Sequence, residues 1–454
     1  MFADLGPGKT AALVGLGITN QAVAAYLVGL GVQVTGYDQK TPEALGDAAK
    51  SLEELGVDLV LGPESFKSDL TGFDYIFVTP GIRPDIPMIA QGVRAGAIVT
   101  SEIDLLLQKA PGFVVGITGS SGKTTTTSLI GHIFRKAERR VLVGGNIGEP
   151  LIKALPEMTL ETYLVLELSS FQLMTVRKSP NLAVITNITP NHLDYHPTMA
   201  EYIEAKSKIF ANQTESGVLV ANADDPIVFE LARKAPGQVI LFSRQQALDE
   251  GACLKDGQVV WVHQGQAEPV LTLAEIPLRG QHNWENVLAA AAVARASGIE
   301  ASTIREAVRE FKPIEHRLEF VREIDGTKYY NDSIATSPAR AVAGLRSFEE
   351  PVILIAGGYD KKIPFDDFAK ELPGRVKHLL LLGDTAPAIA KLVDQLPDGP
   401  GYTLTNSLQE AVEKARSLSE PGDVVLLSPA CASFDMFPNY RERGRIFKEI
   451  VNNL

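Results

Sequence analysis

The run Thr118-Gly119-Ser120-Ser121-Gly122-Lys123-Thr124 constrains this chain more than any other stretch of it. It follows the apolar stretch Phe113-Val114-Val115-Gly116-Ile117 and precedes the helix-like stretch Thr124 to Lys136. A glycine-rich turn between strand and helix aims successive backbone N–H groups at an anion on the helix N-terminus, and such a unit belongs in a parallel sheet covered by helices. Lys123 then reaches terminal phosphates, and the Thr124 hydroxyl is a ligand for Mg2+. Ile117 stands at the first glycine of the full GxxxxGK[ST] pattern, so the pattern is incomplete. A Gly/Ser loop with a surface lysine is the alternative, and the strand–loop–helix setting favours a mononucleotide site over it.

Two further α/β series flank this one. From Thr10 to Ala110, β-rich runs (Ala11 to Val14, Gln33 to Tyr37, Tyr75 to Val78) alternate with helical stretches (Gln21 to Leu30, Ala44 to Leu55). The central series continues through strands expected at Tyr163 to Leu168, Leu182 to Ile188, Gly217 to Ala221 and Gln238 to Phe242. Hairpin-like strands follow over Cys253 to Leu273, then helices over Trp284 to Ser297 and Thr303 to Phe311. After Lys312-Pro313 comes a hairpin turning at Asp325-Gly326, then βαβ runs through Val352 to Ala356, His378 to Leu382 and Val424 to Leu427. At about 150 residues per domain, the length fits three α/β domains, with boundaries expected at 1–110, 111–312 and 313–454. The fold class is therefore α/β: a Rossmann-like first domain, a central P-loop ATPase-type domain and a C-terminal Rossmann-like domain.

Charge narrows the partners. The 43 Lys and Arg against 55 Asp and Glu leave −12, which gives no reason to expect nucleic acid or an anionic membrane. Cys253 and Cys431 form no disulfide framework and no zinc pattern. The N-terminus carries no signal-peptide pattern. The expectation is a soluble, cytoplasmic, monomeric protein that holds anionic ligands at local sites.

Other clusters sit at strand ends. Gly15-Leu16-Gly17-Ile18-Thr19-Asn20 nearly matches a dinucleotide fingerprint, but Asn20 replaces the third glycine; Asp38 ends the next strand, available to a ribose or base. Glu167 ends one strand, and His192 with Asp194 follows another; a carboxylate and an imidazole there suit Mg2+ near phosphates. His282-Asn283-Trp284-Glu285-Asn286 opens a helix and is equally a cap or a ligand site. Asn331-Asp332-Ser333 is equally an Asx-turn. Ser428 to Asp435 closes the last apolar strand, and the basic stretch Arg441 to Arg445 beyond it reads as a solvated face.

In this order and spacing the clusters resemble the Mur ligase family of ATP-dependent amide-bond-forming enzymes, over essentially the whole chain. The resemblance implies bacterial, cytoplasmic synthesis of a peptidoglycan precursor, joining D-glutamate to UDP-N-acetylmuramoyl-L-alanine through an acyl phosphate. It implies ATP at Gly119, Ser120, Ser121, Gly122, Lys123, Thr124 and Thr125, with Asn283, Asn286, Arg317 and Asp332 completing the nucleotide signature. Ile18 and Thr19 fall at the diphosphate, Asp38 and Lys40 at the uridine, and Thr79 nearby, with Asn146 and His192 toward the muramoyl group or its metal. Thr336, Lys361, Lys362, Ser433 and Tyr440 fall at the amino acid. Thr124, Glu167 and His192 hold two Mg2+ ions, together with Lys206 carbamylated by CO2; Lys123, Glu167, His192 and Lys206 form the catalytic set.

Two departures stand out. The family's Asp-Ser-Lys-Ala-Thr-Asn reads Asp332-Ser333-Ile334-Ala335-Thr336-Ser337 here, and a common Phe is Tyr440. Ile334 carries no charge, so Lys361 and Lys362 are left to meet an acidic amino acid. The rival readings are a ligase of the same family adding another amino acid, a NAD-binding oxidoreductase and a non-catalytic P-loop switch. The oxidoreductase would leave the Lys123 loop, His192 and the Asp332 cluster without a task.

Overall fold

The chain separates into two compact units, Met1–Glu275 with Trp284–Glu310, and Ile276–Asn283 with Phe311–Leu454. The computed structural model describes Phe2 and residues 4–192, 195–312, 315–361 and 363–454. Asp194 and Lys362, both singled out from the sequence, lie outside the described residues.

The first unit holds two sheets. One has the order Asp58–Leu61, Gln33–Asp38, Thr10–Val14, Tyr75–Val78, Ile98–Thr100, all parallel. Strand order reverses beside Thr10–Val14, so a crevice opens at its C-terminal end, where Gly15 to Thr19 lie. Ala11 to Val14 are fully buried, as a strand covered on both faces must be.

The second sheet runs Arg140–Gly145, Thr162–Glu167, Phe113–Thr118, Leu182–Ile185, Val218–Asn222, Gln238–Ser243, Gly251–Lys255, Gln258–His263, Gln266–Thr272. All but the last two strands are parallel; Gln258–His263 and Gln266–Thr272 pair antiparallel at one edge. That outer strand contains Pro269, and its register slips between Val259 and Val260. The register pairs Ile117 with Glu167 and Thr118 with Ile185, which sets the phosphate-loop strand between two strands whose ends border the loop.

Two sequence expectations are corrected in this unit. The strand expected over Leu182 to Ile188 ends at Ile185, because Thr186, Asn187 and Thr189 turn away to bond the phosphate loop. The helix expected over Ala44 to Leu55 breaks at Gly46 (φ 58°) into Pro42–Leu45 and Asp47–Glu54.

The second unit has one sheet, ordered Glu319–Ile324, Thr327–Asn331, Val424–Leu427, Val352–Ala356, Val376–Leu381, Gly401–Leu404. The first pair is the expected hairpin and the remainder is parallel. Val352, Leu354 and Ala356 enter the core on one face, Ile353 and Ile355 the core on the other, the two-residue period of a doubly covered strand.

In the first unit, one apolar core joins both sheets through Leu13, Phe77, Leu107, Ile152, Leu164 and Ile185. Glu102 lies in this seam, 3% exposed, accepting the N–H of Ile152 at 3.1 Å. Burial pushes its carboxyl up from 4.5 to about 7. A raised folded-state pKa means that its contribution to stability is complete below 4.5 and is lost as pH rises through about 7. Glu102→Gln, permanently neutral, should match the native protein near pH 4.5 and exceed its stability by about 2–3 kcal/mol at about pH 7.5. Urea unfolding at both pH values checks this; an equal difference at the two would reject it.

Candidate active site

Gly119 (φ 154°) and Gly122 (φ 81°) give the loop after Phe113–Thr118 its shape. No larger residue fits: a Cβ at Gly119 would lie 1.9 Å from Thr186 Oγ1, and one at Gly122 would lie 2.4 Å from Asn286 Oδ1. The loop is pinned from the neighbouring strand's extension. Ser120 donates its N–H to the Asn187 carbonyl (2.9 Å), Ser121 donates its N–H to Asn187 Oδ1 (3.0 Å), and Thr186 Oγ1 donates to the Ser121 carbonyl (2.7 Å). Thr126 Oγ1 donates to Asn286 Oδ1 at 3.2 Å, tying that asparagine to the helix Lys123–Lys136. Thr124 and Thr125 occupy the first turn of this helix, Thr125 buried. With the Ser120 and Ser121 N–H groups used to fix the loop, the N–H groups that open the helix Lys123–Lys136 are the ones a helix N-terminus offers to an anion.

Charged groups converge on the loop. Lys123 Nζ donates to the carbonyls of Gly119 (2.9 Å) and Ser120 (3.3 Å). Lys206, 1% exposed, donates to the same Gly119 carbonyl (2.8 Å) and to Thr118 Oγ1 (3.3 Å). Burial, then the nearby charge of Lys123, drives the Lys206 ammonium well below its ordinary pKa, with Glu167 opposing. Glu167 is 2% exposed; its Oε1 accepts Asn146 Nδ2 at 2.9 Å, while its buried Oε2 accepts no hydrogen bond from the described residues. A buried carboxylate oxygen left over beside a phosphate loop fits a divalent cation, whose ligands are hard oxygens. His192 is exposed, with left-handed backbone (φ 56°) and its ring edge-on to Phe171 at 4.9 Å.

In the first sheet's crevice, Gly15 (φ 81°) brings its backbone against Thr79: a Cβ there would lie 2.5 Å from Thr79 Cγ2. Asp38 accepts the N–H of Leu16 (2.7 Å) and of Lys40 (2.9 Å), so it shapes the turn. Asn20 explains the imperfect fingerprint: fully buried, it donates to the carbonyls of Gly15 (2.8 Å), Val14 and Phe77 (both 3.3 Å). Its side chain does the helix–strand fastening that close packing of a third glycine would do. Ile18 opens the following helix and is 57% exposed, with Thr19 beside it.

The second unit gathers its own residues. Asp332 is 4% exposed, accepting the Leu318 N–H (3.2 Å) and the Ser428 hydroxyl (2.8 Å), and burial raises its carboxyl to about 7. Lys361 Nζ donates to the Thr336 carbonyl at 3.3 Å, and Tyr359 bridges to Ala432 beside buried Ser433. Tyr440 begins the last helix, edge-on to His316, which precedes Arg317. Asn283 Nδ2 donates to the Arg279 carbonyl at 2.6 Å. The basic stretch Arg441 to Arg445 is a solvated face only in part: Arg441 and Arg445 are exposed, whereas Arg443 is 2% exposed. Thr186, Asn187 and Arg443 were not singled out from the sequence. For Arg443 a signal existed in the helical spacing of Arg443, Phe447 and Val451, all buried.

Comparison with known proteins covers the chain almost end to end. The Mur ligase MurD-like N-terminal domain matches residues 9–101, the Mur ligase middle domain 117–294, and the Mur ligase glutamate ligase domain 316–431. The UDP-N-acetylmuramoylalanine--D-glutamate ligase of Symbiobacterium thermophilum is 49% identical over 450 residues, 98% of each chain. The protein of the same name from Clostridium kluyveri is 47% identical over 451 residues, 98% of this chain and 97% of its own. Among solved structures, the UDP-N-acetylmuramate-alanine ligase of Thermotoga maritima superposes with TM-score 0.62 at 21% identity, covering 98% of this chain and 99% of its own. A pseudomurein peptide ligase type C from Methanothermus fervidus gives 0.60 at 20%, covering 98% and 100%. The last two are likenesses of fold.

Removing the loop's lysine tests the phosphate assignment. Lys123→Ala should retain its circular dichroism while nucleotide-dependent phosphate release falls more than about a hundredfold, since one preorganised donor to a developing anion is worth about 3 kcal/mol. A folded variant with near-native rate would reject the assignment.

Proposed function

The chain belongs to the Mur ligase family, and we propose that it joins D-glutamate to UDP-N-acetylmuramoyl-L-alanine with cleavage of ATP, in peptidoglycan precursor synthesis. The observation that carries this reading is identity of 45–49% across the full chain to ligases of that name. Lys123, Glu167 and Lys206 around one glycine-rich loop supply matching chemistry.

A carboxylate is a poor electrophile. The terminal phosphoryl group of ATP therefore passes to the L-alanyl carboxylate, forming an acyl phosphate and releasing ADP. The amine of D-glutamate attacks that carbonyl, and the tetrahedral intermediate expels inorganic phosphate as the amide forms. Such transfers depend on positioning and charge neutralisation more than on covalent help. Gly119 to Thr125 and Asn286 cradle the phosphates, and Lys123 exchanges its bonds to loop carbonyls for bonds to phosphate oxygens. Asn146 keeps the Glu167 carboxylate aimed. Asn283, Arg317 and Asp332 are assigned to the nucleotide from the family signature.

Mg2+, when bound, neutralises phosphate charge. Thr124 and Glu167 are the ligands assigned to one ion, with His192 and carbamylated Lys206 at a second. Burial and the charge of Lys123 shift Lys206 toward its neutral amine, the form that adds to CO2 with loss of a proton. The resulting carbamate is an anion, attracted to the Lys123 cation that disfavours the ammonium form of Lys206. The UDP moiety is assigned to Ile18, Thr19, Asp38, Lys40 and Thr79. The amino acid is assigned to Thr336, Lys361, Ser433 and Tyr440; Lys362, assigned with them from the sequence, lies outside the described residues. The enzyme is assigned to the bacterial cytoplasm as a monomer, and no described helix is long and apolar enough to cross a membrane.

Phosphate release with ATP and UDP-N-acetylmuramoyl-L-alanine, run against a panel of D- and L-amino acids, should be fastest with D-glutamate. Preference for L-glutamate, lysine or diaminopimelate would overturn the specificity while leaving the ligase. Because Ile334 supplies no charge, Lys361→Ala should raise the KM for D-glutamate more than tenfold, about 1.5–3 kcal/mol for a charge-assisted bond, with little change for ATP. An unchanged KM for D-glutamate would remove Lys361 from the amino-acid site.

A further inference from the structure

The last helix, Tyr440–Asn452, sends one cation into the second unit's core. Asn439 caps it by accepting the Glu442 N–H, and the face carrying Arg443, Gly444, Phe447 and Val451 is buried. Gly444 is required by close approach: a Cβ there would lie 2.3 Å from His316 Nδ1. Arg443 Nε donates to Ser333 Oγ (3.0 Å), Nη2 donates to the carbonyls of Ser333 (2.9 Å) and Cys431 (3.1 Å), and Nη1 donates to the Ala432 carbonyl (3.1 Å). The network continues outward. Ser333 Oγ donates to the Tyr440 carbonyl at 2.7 Å, and the Ala432 carbonyl also accepts the Tyr359 N–H at 3.0 Å.

One guanidinium thus holds the loops that follow Thr327–Asn331 and Val424–Leu427 and, through Ala432, the loop that follows Val352–Ala356. These three loops carry Thr336, Ser433 and Lys361. Among the described residues, its direct partners are all carbonyl and hydroxyl oxygens, and Asp435 acts on it only through space. Burial lowers its pKa to about 10, which leaves it cationic at neutral pH. A buried cation whose opposing carboxylate acts only from a distance is costly, and an anion arriving nearby relieves that cost.

We propose that Arg443 is the positioning residue of the amino-acid site: its planar fork sets the three loops in register, and its charge, bonded to no carboxylate among the described residues, favours a dicarboxylate where Ile334 offers none. This rests on the ligase reading above. A structural staple alone would hold the fold without favouring one substrate, so the separating measurement is a comparison of KM values in one enzyme. Lysine keeps the charge but cannot reach four acceptors in a plane; methionine keeps the length and loses both.

The experiment measures steady-state phosphate release by the full-length enzyme and by Arg443→Lys and Arg443→Met, varying D-glutamate, ATP and UDP-N-acetylmuramoyl-L-alanine in turn, with thermal unfolding alongside. The expected result is a rise in the KM for D-glutamate of more than thirtyfold in Arg443→Met and three- to tenfold in Arg443→Lys. The other two KM values should stay within twofold. Equal changes in all three KM values, no change in any, or failure of both variants to fold would each overturn the proposal in favour of a staple. If only Arg443→Met fails to fold, the KM pattern of Arg443→Lys decides alone. If the unmodified enzyme does not use D-glutamate, the ligase specificity is what fails, a result distinguishable from any behaviour of the variants.

Discussion

Two lysines, Lys123 and Lys206, donate to the carbonyl of a single glycine, Gly119. Two ammonium groups held on one oxygen repel each other strongly away from bulk water. A fold that places two amines so close at a buried loop must either remove a proton from one of them or bring in anions. Both are provided for. Lys206 is buried deeply enough to favour the neutral amine, and Glu167 stands at the end of the adjacent strand with one carboxylate oxygen left over. Much of the first unit serves to maintain this arrangement. The register pairing Ile117 with Glu167 fixes the height of the carboxylate, Asn146 fixes its direction, and Thr186 to Thr189 leave their strand to hold the loop.

What could be read from the sequence was whatever depends on local chain properties. The glycine-rich turn from strand to helix was legible because glycine spacing, a lysine and a flanking β-branched run all concern neighbouring residues. The hairpin at Asp325-Gly326 and the parallel strands were legible for the same reason. What escaped depends on distant partners. No local property ends a strand at Ile185 when Thr186-Asn187-Ile188 continues the β-rich pattern; the demand comes from Ser120 and Ser121, more than 60 positions earlier. Arg443 lies in a run of charges that looks solvated, and its acceptors are the carbonyls of Ser333, Cys431 and Ala432. Asn20 read as a flaw in a glycine fingerprint, whereas its amide fastens three carbonyls that a glycine could not reach.

Both units share one architectural habit: side chains assigned to function are held mostly by backbone groups. Asp38 is held by two N–H groups, Asp332 by an N–H and a hydroxyl, Arg443 by three carbonyls and a hydroxyl. Each is thereby fixed by groups in loops next to strand ends, so the sheets set where those loops start and the loop bonds set where the side chains point.

The outermost strand of the large sheet, Gln266–Thr272, has a consequence for life at cellular concentrations. A parallel sheet of apolar strands offers, at its free edge, a row of backbone groups on which another chain can add. Here the sheet turns antiparallel before it stops. Pro269 removes a donor from the last strand, and the slip between Val259 and Val260 adds local twist. Nascent or partly unfolded copies therefore meet a poor template at this edge, where the antiparallel hairpin ends the sheet.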